Sequence, residues 1–274
     1  MSTVKELAAS RELLGNLLSR ELRGKYKRSF LGWSWSLVNP LSLAAVYTVV
    51  FVVIFKAPAP VGDPSGMKAF PLFLLTGLLP WTYLANTISG SVGSLTGNAS
   101  LVNKVYFPRE ILVGSSTLSW VVSLAIELSV LSVVLLAFGN NVLPWLPVLV
   151  VLVALQTVFV LGVGLALSVL NVYFRDVQHF MTILLQIWFY ATPVIYPISF
   201  VQSYVDRHHP AFPVMLVYRA NPMVAFVESY HRVLYDLRFP TLGDFLWATV
   251  ASVLSLLVGW AVFRRFEGRL AEEL

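Results

Sequence analysis

PWLPVLVVLVALQTVFVLGVGLALSVL, residues Pro144–Leu170, contains no ionisable side chain. A run of about 20 apolar residues is long enough to cross the hydrocarbon of a bilayer as a helix, and a helix apolar all round must be buried in protein or lipid. Outward from this stretch, comparable runs occur at about Trp33–Phe55, Phe70–Leu95, Ile111–Phe138, His179–Tyr196 and Phe245–Phe263. The composition agrees. The chain is 57% hydrophobic and 12% charged, whereas soluble domains carry about a quarter of their residues as charges. An all-α integral membrane protein with six transmembrane helices is the expected fold class.

Residues 198–244 fit this pattern poorly. Their apolar runs, Ala211–Val217 and Met223–Val227, are interrupted by Arg219, Asn221, Pro222, Glu228, His231 and Arg232. Charge deep in lipid is costly, so this region is read as short re-entrant or interfacial helices rather than a span. Basic residues set the orientation. Arg20, Arg23, Lys25, Lys27 and Arg28 precede the first span, and Arg264, Arg265 and Arg269 follow the last. The positive-inside rule puts both groups in the cytoplasm, which requires an even number of spans.

Residues 1–32 are expected to form a cytoplasmic amphipathic interface helix, residues 33–263 the transmembrane domain, and residues 264–274 a cytoplasmic tail. Leu7, Leu14, Leu18 and Leu22 share one helical face, opposite Glu12, Asn16, Arg20, Arg23 and Lys27. Such a helix lies in the membrane surface. Arg11 and Lys25 fall on the apolar side, against the pattern. The same segment has no apolar core followed by a small-residue cleavage site, so the first span is expected to be retained.

The chain offers little chemistry of its own. Cysteine is absent, which excludes disulfides and thiolate metal sites. His179, His208, His209 and His231 lack metal-ligand spacing on a helix, so neither a metal nor a resident cofactor is expected. No G-x-x-x-x-G-K-[ST] phosphate loop occurs, nor a nucleophile elbow, and no catalytic residue or nucleic-acid partner is expected. Glu127 is the one clear ionisable group within a span. Intramembrane carboxylates are functional candidates, yet a protonated one also serves to bond a neighbouring helix; both readings stand. Proton-driven carriers show chains of such groups, so energy is expected to enter from outside the chain.

Two loops placed in the cytoplasm stand out: residues 97–110, GNASLVNKVYFPRE, and residues 171–178, NVYFRDVQ. They read either as rigid surfaces for a soluble subunit or as turns capped by Asn98 and Asp176. Trp33, Tyr47 and Phe51 lie along one face of the first span, with Phe55 beyond them. Trp188, Thr192 and Tyr196 share a face of the fifth, beside Phe189 and Tyr190. These aromatics read either as helix packing and interfacial belt or as the lining of an uncharged path.

ELRGKYKRSFLGWSWSLVNP at Glu21–Pro40, KVYFPRE at Lys104–Glu110, NVYFRDVQH at Asn171–His179, TPVIYP at Thr192–Pro197 and NPM at Asn221–Met223 occur in an order that resembles the permease subunits of ABC-2 type polysaccharide exporters. The resemblance covers essentially the whole chain. It implies a homodimer bound to two ABC ATPase subunits, which hold the ATP and Mg. It implies export of a polysaccharide carried on a polyprenyl diphosphate lipid, of O-antigen, galactan or teichoic-acid type, across the cytoplasmic membrane. Asn103, Lys104, Tyr106, Phe107 and Arg109, with Arg175 and Asp176, would couple to the ATPase. Trp33, Tyr47, Phe51, Trp188, Phe189, Tyr190, Thr192 and Tyr196 would line the channel, and Arg23, Lys25, Lys27 and Arg28 would meet the lipid diphosphate. Alternatives are an ABC-2 exporter of drugs or simple lipids, a polyprenyl-dependent membrane glycosyltransferase, and a passive channel or scaffold.

Overall fold

The computed structural model describes residues 11–25, 32–56, 59–105, 107–210 and 212–273. Every regular element among the described residues is helical. Helix α1 is Arg11–Lys25, and α2 is Trp35–Thr48, continued by a wider π-helical turn, Val49–Ile54. Then follow α3 (Phe70–Val92), α4 (Ala99–Lys104), α5 (Glu110–Ala137) and α6 (Leu146–Tyr173). The chain continues through α7 (Val177–Tyr190), α8 (Ser199–His208), α9 (Val214–Ala220), α10 (Pro222–Tyr230), α11 (Leu242–Phe266) and α12 (Leu270–Glu273).

Among the described residues, four segments are long and apolar enough to cross a membrane: Trp35–Ile54, Glu110–Ala137, Leu143–Tyr173 and Leu242–Phe266. Helix α3 has 23 residues, but Thr76, Gly77, Thr82, Asn86 and Thr87 dilute its apolar run. It is the centre of the bundle: Leu72 through Trp81 are all buried. Gln156 of α6 donates to the Pro80 carbonyl at 2.8 Å and accepts from the Tyr230 hydroxyl at 2.9 Å. One buried amide thereby joins α3, α6 and α10.

The fifth apolar run differs from expectation. Its helix ends at Tyr190, and Ala191–Pro197 form turns rather than a last helical stretch. Proline disfavours helical geometry in the residue before it, and Pro193 lies within the run. The resulting helix of 14 residues rises about 21 Å, less than the hydrocarbon thickness of about 30 Å. Residues 198–244 hold α8, α9 and α10 and a π-helical turn, His231–Asp236. His231 is buried there. It stacks on Phe73 with centroids 4.1 Å apart, and its Nδ1 lies 2.8 Å from the Thr76 hydroxyl. Its Nε2 lies 3.2 Å from the Pro193 carbonyl, which can only accept. Nε2 therefore carries a proton and donates to that carbonyl, while the Thr76 hydroxyl donates to the Phe73 carbonyl at 2.6 Å.

Helices α6 and α11 approach most closely through small residues. A Cβ on Gly259 would overlap the Gly162 carbonyl, and a Cβ on Gly162 would overlap the backbone at Ser255. Ser252 and Ser255 donate across the same seam to the Leu155 and Phe159 carbonyls, at 2.8 and 2.7 Å. Small residues that let backbones meet, with hydroxyls bonding across, are how helices associate where apolar burial alone gives no preference over lipid. Gly259→Ala is therefore expected to cost at least about 1–3 kcal/mol, the usual penalty of overpacking. Gly243, earlier in the same helix, has open space where a Cβ would sit. Thermal midpoints of the detergent-solubilised protein should fall for Gly259→Ala and not for Gly243→Ala; equal midpoints would refute the seam.

Candidate functional site

One end of the bundle gathers α1, the loop from α3 to α5, the α6–α7 turn and the tail after α11. Its core is separate from the main one and contains Leu17, Leu95, Val102, Phe107, Ile111, Val169, Val172, Phe263 and Leu270. Charged side chains bind its rim. Arg264 donates to Glu110 at 3.2 Å and to Glu267 at 2.9 Å, and Glu110 is only 5% exposed. Arg109 donates to the Glu267 carbonyl. The Tyr173 hydroxyl donates to the Phe266 carbonyl at 3.2 Å. The last turn of α11 is thus fastened to both loops.

The loop residues expected at a partner surface divide into two groups. Asn103 and Lys104 are exposed, together with Val105, whereas Phe107 is buried at 9% and Arg109 is engaged with the tail. Tyr106 lies outside the described residues. Arg175 and Asp176 are exposed, and Arg175 lines a pocket of about 280 Å³ together with Thr96, Asn171, Val172, Gln178 and Glu273. Asn171 fastens the second loop by donating to the Val92 carbonyl at 3.0 Å. Val105 and Phe174 are 50% and 66% exposed, so each loop offers one apolar side chain at its tip. The charge pattern in the sequence did not single out these two. Nor did it reveal the Glu110–Arg264–Glu267 cluster, whose members are more than 150 residues apart for the first pair.

Helix α1 buries Leu17 and packs Leu13 and Leu14 on the same core; Leu7 lies outside the described residues. Arg20 donates to Asn98 at 2.6 Å. Arg23 is exposed. Lys25 turns inward instead: its Nζ donates to the Ser119 carbonyl at 2.9 Å and to the Ser123 hydroxyl at 3.3 Å, and sits 3.3 Å over the Trp120 ring. Its ammonium is thus engaged by α5, not presented to an arriving headgroup. Lys27 and Arg28 lie outside the described residues.

The aromatic residues expected along a path also converge. Tyr47 lies 6.2 Å from Phe189, and Phe51 lies 5.7 Å from Phe70. Trp81 of α3 joins them, 5.5 Å from Phe189 and 6.0 Å from Trp188. Tyr190 is 55% exposed and packs edge-on to Phe189 at 5.2 Å. Tyr196 donates to the Tyr190 carbonyl at 2.8 Å. Thr192 is fully buried, and the side chain of Trp33 is outside the described residues. The two short motifs TPVIYP and NPM meet at Asn221. Its Oδ1 accepts from Trp188 Nε1 at 2.8 Å and from the Met223 amide at 3.0 Å. Its Nδ2 donates to the Ala191 carbonyl and to Thr192, each at 3.1 Å. Both partners of Oδ1 are obligatory donors, which fixes the amide orientation.

These features define a membrane protein that is all-helical among the described residues, with Asn103, Lys104, Arg175 and Asp176 exposed on two loops at one end. The chain belongs to the ABC-2 type transporter membrane family: the model of that family matches residues 12–235. Among relatives, it is 33% identical to the O-antigen export system permease protein RfbA of Myxococcus xanthus, over 98% of this chain and 96% of the relative. It is 26% identical to an RfbA of the same description from Klebsiella pneumoniae, over 96% and 95%. It is 22% identical to the polysialic acid transport protein KpsM of Escherichia coli, over 92% of each.

Asn221→Ala would leave the Trp188 and Met223 donors without their acceptor. An unsatisfied buried donor costs about 1–3 kcal/mol, and this half-buried site falls at the lower end. Asn221→Asp keeps the acceptor. The thermal midpoint should drop more for alanine than for aspartate, and the reverse order would exclude Asn221 as the junction of the two motifs.

Proposed function

We propose that this chain is the membrane subunit of an ATP-driven exporter that moves a polyprenyl-diphosphate-linked polysaccharide, of the O-antigen type, across the cytoplasmic membrane. The observation that carries this reading is similarity to O-antigen export permeases along nearly the full length of both chains. Two copies form the path, each seated on one ATPase subunit that binds ATP and Mg. Six crossings, with both termini cytoplasmic, use the four long apolar helices together with α3 and α7. Helix α7 reaches the outer side through the Ala191–Pro197 turn, and α8 to α10 form re-entrant structure there.

In this reading the end that carries the two polar loops faces the ATPase. Asn103, Lys104 and Tyr106 at the first loop, with Arg175 and Asp176 at the second, make the contact. Phe107 and Arg109 hold the first loop to the bundle, so that movement of its tip is transmitted and not absorbed. The aromatic group of Tyr47, Phe51, Trp188, Phe189 and Tyr190, continued by Tyr196, offers ring faces to sugar C–H surfaces, and Trp33 is assigned the same role. Because it carries no charge, a passing polymer is not held tightly at any one position. Arg23, Lys27 and Arg28 attract the diphosphate at the inner leaflet, where basic side chains favour anionic headgroups.

Depletion of the chain is expected to accumulate lipid-linked polymer in the cytoplasm. Replacing Asn103–Val105 with glycine and serine should do the same while the partner's ATP hydrolysis continues. Export at the normal level after that replacement would overturn the assignment of the loop. Depletion without accumulation would overturn the assignment of the cargo.

A further inference from the structure

Lys25 occupies a position that an amphipathic surface helix does not require. It lies on the inward face of α1, three turns on from Leu14 and two from Leu17 and Leu18. At that depth its ammonium finds the Ser119 carbonyl, the Ser123 hydroxyl and the face of Trp120, all on α5. Glu127 follows Ser123 one turn further along α5. Among the described residues no carboxylate lies within ion-pair distance of Lys25. Burial pulls its ammonium down to about 7, opposed by the charges of Glu21 on α1 and Glu127 on α5. Placing a lysine here carries a desolvation cost that leucine at the same position would avoid.

What the lysine adds is direction. Leu13, Leu14 and Leu17 let α1 pack against α5 but do not fix its register. A cation seated on one ring and two oxygens does. The opposite contact of α1 is equally specific: Arg20 is bonded to Asn98, at the start of the 97–110 loop. Helix α1 is therefore held at two points, one on that loop and one on the span that the loop leads into. Ser119 loses nothing when Lys25 leaves, since a carbonyl has two lone pairs and α5 remains helical through this region.

We propose that Lys25 is a positioning residue that anchors α1 to the third apolar span through Trp120, Ser119 and Ser123, so that displacement of the 97–110 loop is carried by α1 into that span. The role of the loop rests on the exporter reading above; the anchor itself does not.

The test uses the full chain in phosphatidylcholine nanodiscs, without ATPase or polymer, so that its failure is separate from failure of the exporter reading. The chain has no cysteine, and Leu17→Cys is a single reporter beneath α1. Maleimide labelling of that thiol should be slow. Lys25→Met should speed it about three- to tenfold, the range corresponding to a partly desolvated cation–π contact. Lys25→Arg, which can also sit over the ring, should restore slow labelling. Trp120→Leu should match Lys25→Met, and the double variant should label no faster than either single one. Leu13→Cys is the reporter if Leu17→Cys fails to fold. Labelling unchanged by Lys25→Met, additive effects of the two variants, or no rescue by arginine would each overturn the anchor.

Discussion

Close approach of backbones, fixed by polar side chains that bond to carbonyls on neighbouring helices, is the interaction on which the whole bundle depends. Lipid gives apolar side chains no reason to prefer protein over acyl chains, so apolar area alone cannot order these helices. The Gly162–Gly259 contact brings α6 and α11 together, and Ser252 and Ser255 fix their register. Gln156, Asn171 and Asn140 do the same elsewhere, donating to carbonyls of Pro80, Val92 and Leu234. Each of these amides is buried, Gln156 completely so. Each therefore selects one packing and penalises the others.

The same constraint explains why charge is kept to the ends of the bundle, as at Asp63, Asp236 and Arg238 on one side and Glu110, Arg264 and Glu267 on the other. A bundle ordered by carbonyl contacts tolerates few ions in its middle, but its ends can hold them, because partial exposure lowers the desolvation cost. The Glu110–Arg264–Glu267 cluster ties the start of α5 to the last turn of α11, and the Arg109 contact adds a second tie. The first loop is thereby mounted on rigid helices while its tip at Asn103–Val105 stays free. A mounted loop with a free tip is suited to receiving force. The family relationship gives that geometry its meaning, since nothing in the sequence binds nucleotide through a phosphate loop.

Much of the fold is legible in the sequence, because long uncharged runs admit few structures. The four helices long and apolar enough to cross a membrane follow the runs to within a few residues. The fifth run was less faithful: hydropathy counts Val194 and Ile195 as apolar but does not register that Pro193 ends the helix before them. The site was legible by composition and not by geometry. Lys104, Arg175 and Asp176 are exposed, Lys104 as the last residue of a short helix between α3 and α5. Lys25 was visible only as a misfit on the apolar face, and its explanation, Trp120, is almost a hundred residues away. Asn221 and Thr192 likewise belong to separate motifs whose meeting depends on three-dimensional packing. Hydrogen bonds across such distances leave no period in a sequence.

If the helices carry no motor, force must reach them through the loop tips. The most direct measurement reconstitutes the chain in sealed liposomes loaded with lipid-linked polymer, with and without its ATPase subunit, and follows the polymer's accessibility to a glycosidase on the far side. Accessibility should rise only when the ATPase and ATP are both present. A rise with the chain alone, at any ATP concentration, would contradict the dependence on an external motor.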